Sequence, residues 1–328
     1  MLKLAVDNHP NVKGRHQWVR SLSLAIALFG ITVTSIAELS SKPTLIAQDY
    51  LIDEQLVEHG TVTSHVRIYG SNDNEKGSVI ILPSLGRGVE DYTEEYGATL
   101  TTQLAASGFT VLLIQPRGIG RSRGDLSPEG ITMKMLADDI KASMDALSVE
   151  TVHLIGHAFG NRLARSFSTL YPERVDDLVL LAAGGDFPLN AEQRACLGQS
   201  FDLRLDASIR LAAIDCAFFA KGNDPRIWLE GWYPKLAAAQ IAAVATVKPE
   251  FFKEAGGKPM LLVQPSEDFI APPALAGRPL KEQLGDQVTY VEVSNAGHAL
   301  VAEQPTLVGE LVIEYFQRHS KTAKDASN

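Results

Sequence analysis

Val152-His153-Leu154-Ile155-Gly156-His157-Ala158-Phe159-Gly160 decides how this chain is read. A short run, apolar on both faces, is followed at once by a turn in which glycines flank a two-residue step and the residue at its tip. A helical pattern then begins, with Leu163, Ala164, Phe167 and Leu170 recurring at spacings of three and four. A strand buried on both faces that passes sharply into a helix is the building unit of a parallel sheet covered by helices. The flanking glycines let the backbone at position 158 be strained, so that its side chain projects above the end of the sheet.

Similar apolar runs lie on either side of this stretch: 78–82, 109–114, 178–181, 260–263 and 288–293. Met133, Leu136, Ala137, Ile140, Met144 and Leu147 form a helical stripe, as do Leu307, Val308, Leu311, Val312, Tyr315 and Phe316 after Pro305 at a first-turn position. Strand and helix alternate, which predicts an α/β fold. Thr61 to Tyr69 alternates instead in single residues, as an antiparallel edge strand does. The stretch 187–252 is Ala-rich, helix-prone and without a strand run, and reads as a helical cap inserted above the strand ends. Its Trp228, Trp232 and Tyr233 either line a pocket or form the cap's own core. The expected organisation is a linker over 38–58, one domain over 59–320 and a polar tail over 321–328.

Three further segments complete a pattern. Asp268 follows the 260–263 run in Pro265-Ser266-Glu267-Asp268, and His298 follows the 288–293 run in Asn295-Ala296-Gly297-His298. Pro83-Ser84-Leu85-Gly86-Arg87-Gly88 follows the 78–82 run, and Arg117-Gly118-Ile119-Gly120-Arg121-Ser122 follows the 109–114 run. The order of elbow, acid and base, at 158, 268 and 298, resembles the α/β-hydrolase family. The resemblance implies a mostly parallel central sheet flanked by helices. It also implies Asp268 as triad acid, with Asp186 as its competitor, and His298 as base. The backbone N–H groups of Leu85 and Phe159 would be the oxyanion-hole donors, Arg117 a structural arginine and His157 a support of the turn. His153, in mid-strand, reads as a packed structural histidine.

The sequence departs from that family at the elbow tip, where Ala158 stands in place of the nucleophilic serine. A methyl group cannot attack a carbonyl or carry an acyl group. Several readings stay open. His298, oriented by Asp268, could serve as base toward water or an acidic substrate proton. The protein could be a silent relative that binds a small apolar ligand. Ser84 could substitute as nucleophile from the oxyanion loop. A Ser-to-Ala exchange introduced to trap a ligand is a further source of Ala158, against which the leader-like N-terminus argues. The first reading, a hydrolase-like enzyme acting on a small apolar ester or other carbonyl compound, is the expectation taken forward.

Composition bounds the rest. The 328 residues are 45% hydrophobic with a formal charge of -9, which supplies no cationic surface for nucleic acid. Lys3, Lys13, Arg15 and Arg20 precede an apolar run from Leu22 to Ala37, read as an export signal over 1–37 or, if uncleaved, a membrane anchor. Its removal takes away four cations and Asp7, leaving a charge of -12. Cys196 and Cys216 are too few for a cysteine-built metal site, and either pair in an oxidising compartment or stay as buried thiols. Gly118-x-Gly120 is not followed at once by a helix, so a dinucleotide fingerprint is rejected. No H-e-x-x-H pattern is present. No cofactor and no metal are expected, and the partner is a small-molecule substrate or ligand.

Overall fold

The computed structural model describes residues 46–70 and 76–326. The export or anchor segment over 1–37 lies outside the described residues. Among the described residues no helix is long and apolar enough to cross a membrane.

Eight strands form one sheet: β1 (Leu51–His59), β2 (Val62–Tyr69), β3 (Ser78–Leu82), β4 (Thr110–Ile114), β5 (Val152–His157), β6 (Val175–Leu181), β7 (Met260–Pro265) and β8 (Val288–Val293). Their order is β1-β2-β4-β3-β5-β6-β7-β8. The β1–β2 and β2–β4 pairs are antiparallel, and all the others are parallel. The helices are α1 (Leu100–Ala106), α2 (Met133–Ala146), α3 (Phe159–Leu170), α4 (Ala191–Phe201), α5 (Ala207–Phe218), α6 (Pro234–Val244), α7 (Pro249–Lys253), α8 (Gly277–Leu284), α9 (Leu300–Glu303) and α10 (Pro305–Ala326).

The central strands are apolar on both faces because both faces are covered. One core lies between the sheet and α2 and α3, with Ile80, Leu112, Leu154 and Leu180 meeting Met133, Ile140, Ala164 and Phe167. The other lies under α1 and α10, with Ile81, Leu113, Ile155 and Val179 meeting Leu104, Val308, Val312 and Phe316. Residue parity within each strand assigns its side chains to one core or the other.

Two boundaries differ from the sequence reading. The segment 38–58 is not all linker: its end is β1, and β1 rather than the Thr61–Tyr69 run is the sheet edge. Only Val57 is buried in β1, so the strand is held by backbone pairing with β2 and leaves no hydrophobic alternation to read. The polar tail over 321–328 is likewise not separate, because α10 continues to Ala326.

Between β6 and β7 the chain is helical, holding α4 to α7 and no strand. Phe218, Phe219, Trp228 and Trp232 form its core together with Ala299 from the body. Cys196 of α4 and Cys216 of α5 are joined as a disulfide.

Candidate active site

Register brings the relevant loops together. Leu82 at the end of β3 pairs with Gly156 near the end of β5, and Pro265 of β7 pairs with Val293 of β8. The loops after β3, β5, β7 and β8 therefore emerge at the same carboxyl edge of the sheet, where open α/β sheets bind ligands.

Ala158 sits at the tip of the β5–α3 turn with φ 51° and ψ -108°. The elbow's strained backbone is thus kept although its side chain is a methyl group. Two glycines make the turn possible by close approach. A Cβ on Gly156 would lie 2.4 Å from the Gly160 carbonyl oxygen, and one on Gly160 would lie 2.0 Å from that of Leu82. The Ala158 N–H donates to the Leu181 carbonyl at 3.0 Å, fixing the tip to the end of β6.

Asp268 and His298 meet. His298 Nδ1 lies 2.8 Å from Asp268 Oδ2 and 3.0 Å from Oδ1. Both residues are buried, and Asp268 Oδ1 also accepts the Ala271 N–H at 2.7 Å. Facing a carboxylate, Nδ1 carries the proton, which leaves Nε2 as the basic nitrogen. Asp186 is exposed and is not the partner of His298.

The loop after β3 supplies the opposite wall. Among the described residues, the backbone N–H groups of Leu85 and Phe159 have no protein acceptor. Phe159 is the first residue of α3, where an N–H has no partner inside the helix. Gly86, at φ +58°, donates its N–H to Gln240 Oε1 of α6 at 2.7 Å. A Cβ there would lie 2.7 Å from both Ala237 and Phe201, so a glycine lets the cap rest directly on this loop. Tyr233 does the same through its backbone, donating to the Gly86 carbonyl at 2.9 Å.

Ala158, Ser84, Leu85, Phe159 and His298 line a cavity of about 330 Å³, roofed by Phe218, Trp228 and Trp232 of the cap. Trp228 and Trp232 therefore serve as cap core and pocket wall at once, whereas Tyr233 does not line the cavity. Ser84 is in the cavity wall, but among the described residues no hydrogen bond joins its hydroxyl to His298. Arg117 is bound on two atoms by Asp139 of α2, at 2.6 and 2.9 Å, away from His298. His153 stacks on Phe316 beneath the sheet with Nδ1 3.0 Å from Asp177.

Three side chains that the sequence reading did not single out, Tyr92, Glu303 and Gln240, help position this site, the first of them through His157. His157 Nε2 lies 2.8 Å from the His298 carbonyl oxygen, and its Nδ1 lies 3.1 Å from Tyr92 Oη. A carbonyl only accepts, so Nε2–H donates and Nδ1 accepts a hydrogen bond from the Tyr92 hydroxyl. Burial, and then the neighbouring His298, pushes the His157 pKa down to about 3, so the ring is neutral. Glu303 accepts the Gly297 N–H at 2.7 Å, the Ala220 N–H at 2.7 Å and Asn223 Nδ2 at 2.6 Å, joining the His298 loop to the cap. Gln240 is the third. Tyr92, Glu303 and Gln240 carry no motif; the only signal was Glu303 six residues after Gly297.

Comparison with known proteins agrees with this geometry. The sequence profile described as the alpha/beta hydrolase fold matches residues 77–200. Residues 77–200 therefore carry the sequence pattern of the α/β-hydrolase family, and the chain has the α/β-hydrolase fold. It is 23% identical over 271 residues to a protein of Agrobacterium fabrum provisionally named carbamate hydrolase RutD, covering 76% of this chain and 97% of that one. It is 29% identical over 122 residues to 2-hydroxy-6-oxo-6-phenylhexa-2,4-dienoate hydrolase of Burkholderia cepacia, a match spanning 37% of this chain and 42% of that enzyme. The enol-lactonase from Burkholderia xenovorans superposes with a TM-score of 0.65 at 19% identity, covering 80% of this chain and all of that one. That likeness is one of fold.

Proposed function

We propose that this protein is a hydrolase-like enzyme that uses His298 and Asp268 with water in place of a serine nucleophile. The observation that carries the reading is the Asp268–His298 pair, with His298 lining the cavity above Ala158. His298 Nε2 takes a proton from water, and the hydroxide adds to the substrate carbonyl. The Leu85 and Phe159 N–H groups hold the resulting oxyanion, an effect worth roughly 3 to 4 kcal/mol per donor in related chemistry. The imidazolium then returns its proton to the leaving oxygen as the carbon–oxygen bond breaks, giving acid and alcohol. Asp268 stays ionised and stabilises the imidazolium. The mostly apolar wall fits a small apolar ester or other carbonyl compound, and the hydrolase names of the relatives support the reaction class.

Ala158 itself favours a second reading, a silent relative that keeps the pocket for binding. Turnover of short-chain aryl esters by the native protein, Ala158→Ser, and His298→Ala of each separates the two. Native turnover that is lost in His298→Ala supports the enzyme. Turnover confined to Ala158→Ser and dependent on His298 would leave the native protein a binder or a catalyst of another reaction, and sink the water mechanism for esters.

We also place the protein outside the cytoplasm. The Cys196–Cys216 pair supports this, since stable disulfides belong to oxidising compartments. N-terminal sequencing of the exported protein tests it, and a chain retained unprocessed in the cytoplasm would overturn it.

A further inference from the structure

A second chamber of about 430 Å³ opens beside the active-site cavity, and Arg162, Gly184, Gly185 and Val244 line both. Its inner wall carries two arginines of α3, Arg162 and Arg165. Among the described residues neither forms an ion pair, although Arg87 and Arg117, as enclosed as Arg165, are each clamped by an aspartate; Arg162 is half-buried. Arg165 is 4% exposed, with one Nη on Asn161 Oδ1 at 2.7 Å, its plane over Phe252 and its buried Nε without a partner. Arg162 reaches only the Gly185 carbonyl, at 3.4 Å, and Gly184 leaves it room: a Cβ there would lie 3.1 Å from the guanidinium.

A buried guanidinium without a counter-ion is costly and is retained where something supplies the charge. Burial lowers the pKa of both arginines, with Asp186 partly offsetting it at Arg162, and brings that of Arg165 to about 9 with Arg162 as a second cause. The charged side chains of the chamber are Arg162, Arg165 and Lys253 against Asp186 and Glu250, an excess of one positive charge. That excess matches a monoanion, and the planar fork of Arg162 at the shared wall matches a carboxylate.

Resting on the reading of His298 and Asp268 as the reacting pair, we infer that the substrate is a carbonyl compound bearing a carboxylate at its far end. The carbonyl sits above Ala158 and the carboxylate in the adjoining chamber on Arg162, with Arg165 behind it. The site therefore selects amphiphilic acids over wholly apolar esters.

Calorimetric titration of the full chain with 3-phenylpropionate and with its neutral amide tests this without any turnover. The carboxylate should bind at least tenfold more tightly than the amide. Arg162→Met should bring the two within twofold while leaving amide affinity unchanged, and Arg162→Lys should keep part of the preference. Intact amide binding shows that the variant pocket has folded. Equal affinities for acid and amide in the native protein, or an undiminished preference in Arg162→Met, would overturn the inference. So would inorganic phosphate that competes with equal affinity. His298→Ala should keep the preference: loss of catalysis with the preference intact bears on the reacting pair alone, and a missing preference beside His298-dependent turnover bears on the anion site alone.

Discussion

The ring of His157 holds the main chain of His298: Nε2–H of the residue before the elbow tip donates to the His298 carbonyl oxygen at 2.8 Å. The same ring is fastened on its other side by Tyr92. A strand end, the loop after β3 and the His298 loop are thereby tied through one neutral imidazole.

That neutrality makes stability depend on pH. The His157 pKa falls from 6.5 to about 3 on folding, so between those values the unfolded chain binds the extra proton. The contribution is complete above pH 6.5 and is lost as pH falls toward 3, at up to about 1.4 kcal/mol per unit. Urea unfolding of native protein and His157→Gln at pH 7.5, 6 and 5 should show the native advantage shrinking with acid. A pH-independent difference would show that His157 does not titrate in this way.

Gly160→Ala should destabilise by about 3 kcal/mol or more, because the added methyl meets the Leu82 backbone rather than a side chain that can move. The midpoint of denaturant unfolding reports it. An unchanged midpoint would mean that α3 can slide away from β3.

Replacing Glu303 by Ala leaves the buried Gly297 and Ala220 N–H groups without their acceptor, at about 1 to 3 kcal/mol each. Amide hydrogen exchange should quicken over 295–299 and 218–223 before it does in the central strands. Uniform quickening would contradict a local role.

The disulfide closes a separation of 20 residues within the cap. Cys196→Ser with Cys216→Ser should lose up to about 3 kcal/mol. Thermal melts with and without dithiothreitol should differ for the native protein and coincide for the double variant.

Asp268→Asn should lower His298-dependent ester turnover in the Ala158→Ser background by about 10²- to 10⁴-fold, since the imidazolium loses its counter-charge and its fixed tautomer. Binding of the neutral amide should be unaffected. Full retained activity would remove Asp268 from the reacting pair.

The fold was legible because each device that builds it is local. Gly156 and Gly160, the doubly apolar strands and the order 158, 268, 298 all leave marks within a few residues. β1 left none, since a strand held by backbone pairing at an edge buries only Val57 and needs no apolar alternation. Neither did the roles of Tyr92, Gln240 and Glu303, because a lone buried polar residue acquires its partner only when distant segments pack.

By itself the sequence determined the α/β architecture, the alanine at the elbow tip and the places of Asp268 and His298 after the last two strands, because strand patterning and loop position follow from neighbours in the chain. Only the tertiary structure decided that Asp268 rather than Asp186 faces His298, that Cys196 and Cys216 join, and that Arg162 and Arg165 share a chamber in which, among the described residues, neither forms an ion pair. Each of these is a distance between residues far apart in sequence. Such quantities are set by packing, where desolvation makes one ångström and one unpaired charge matter.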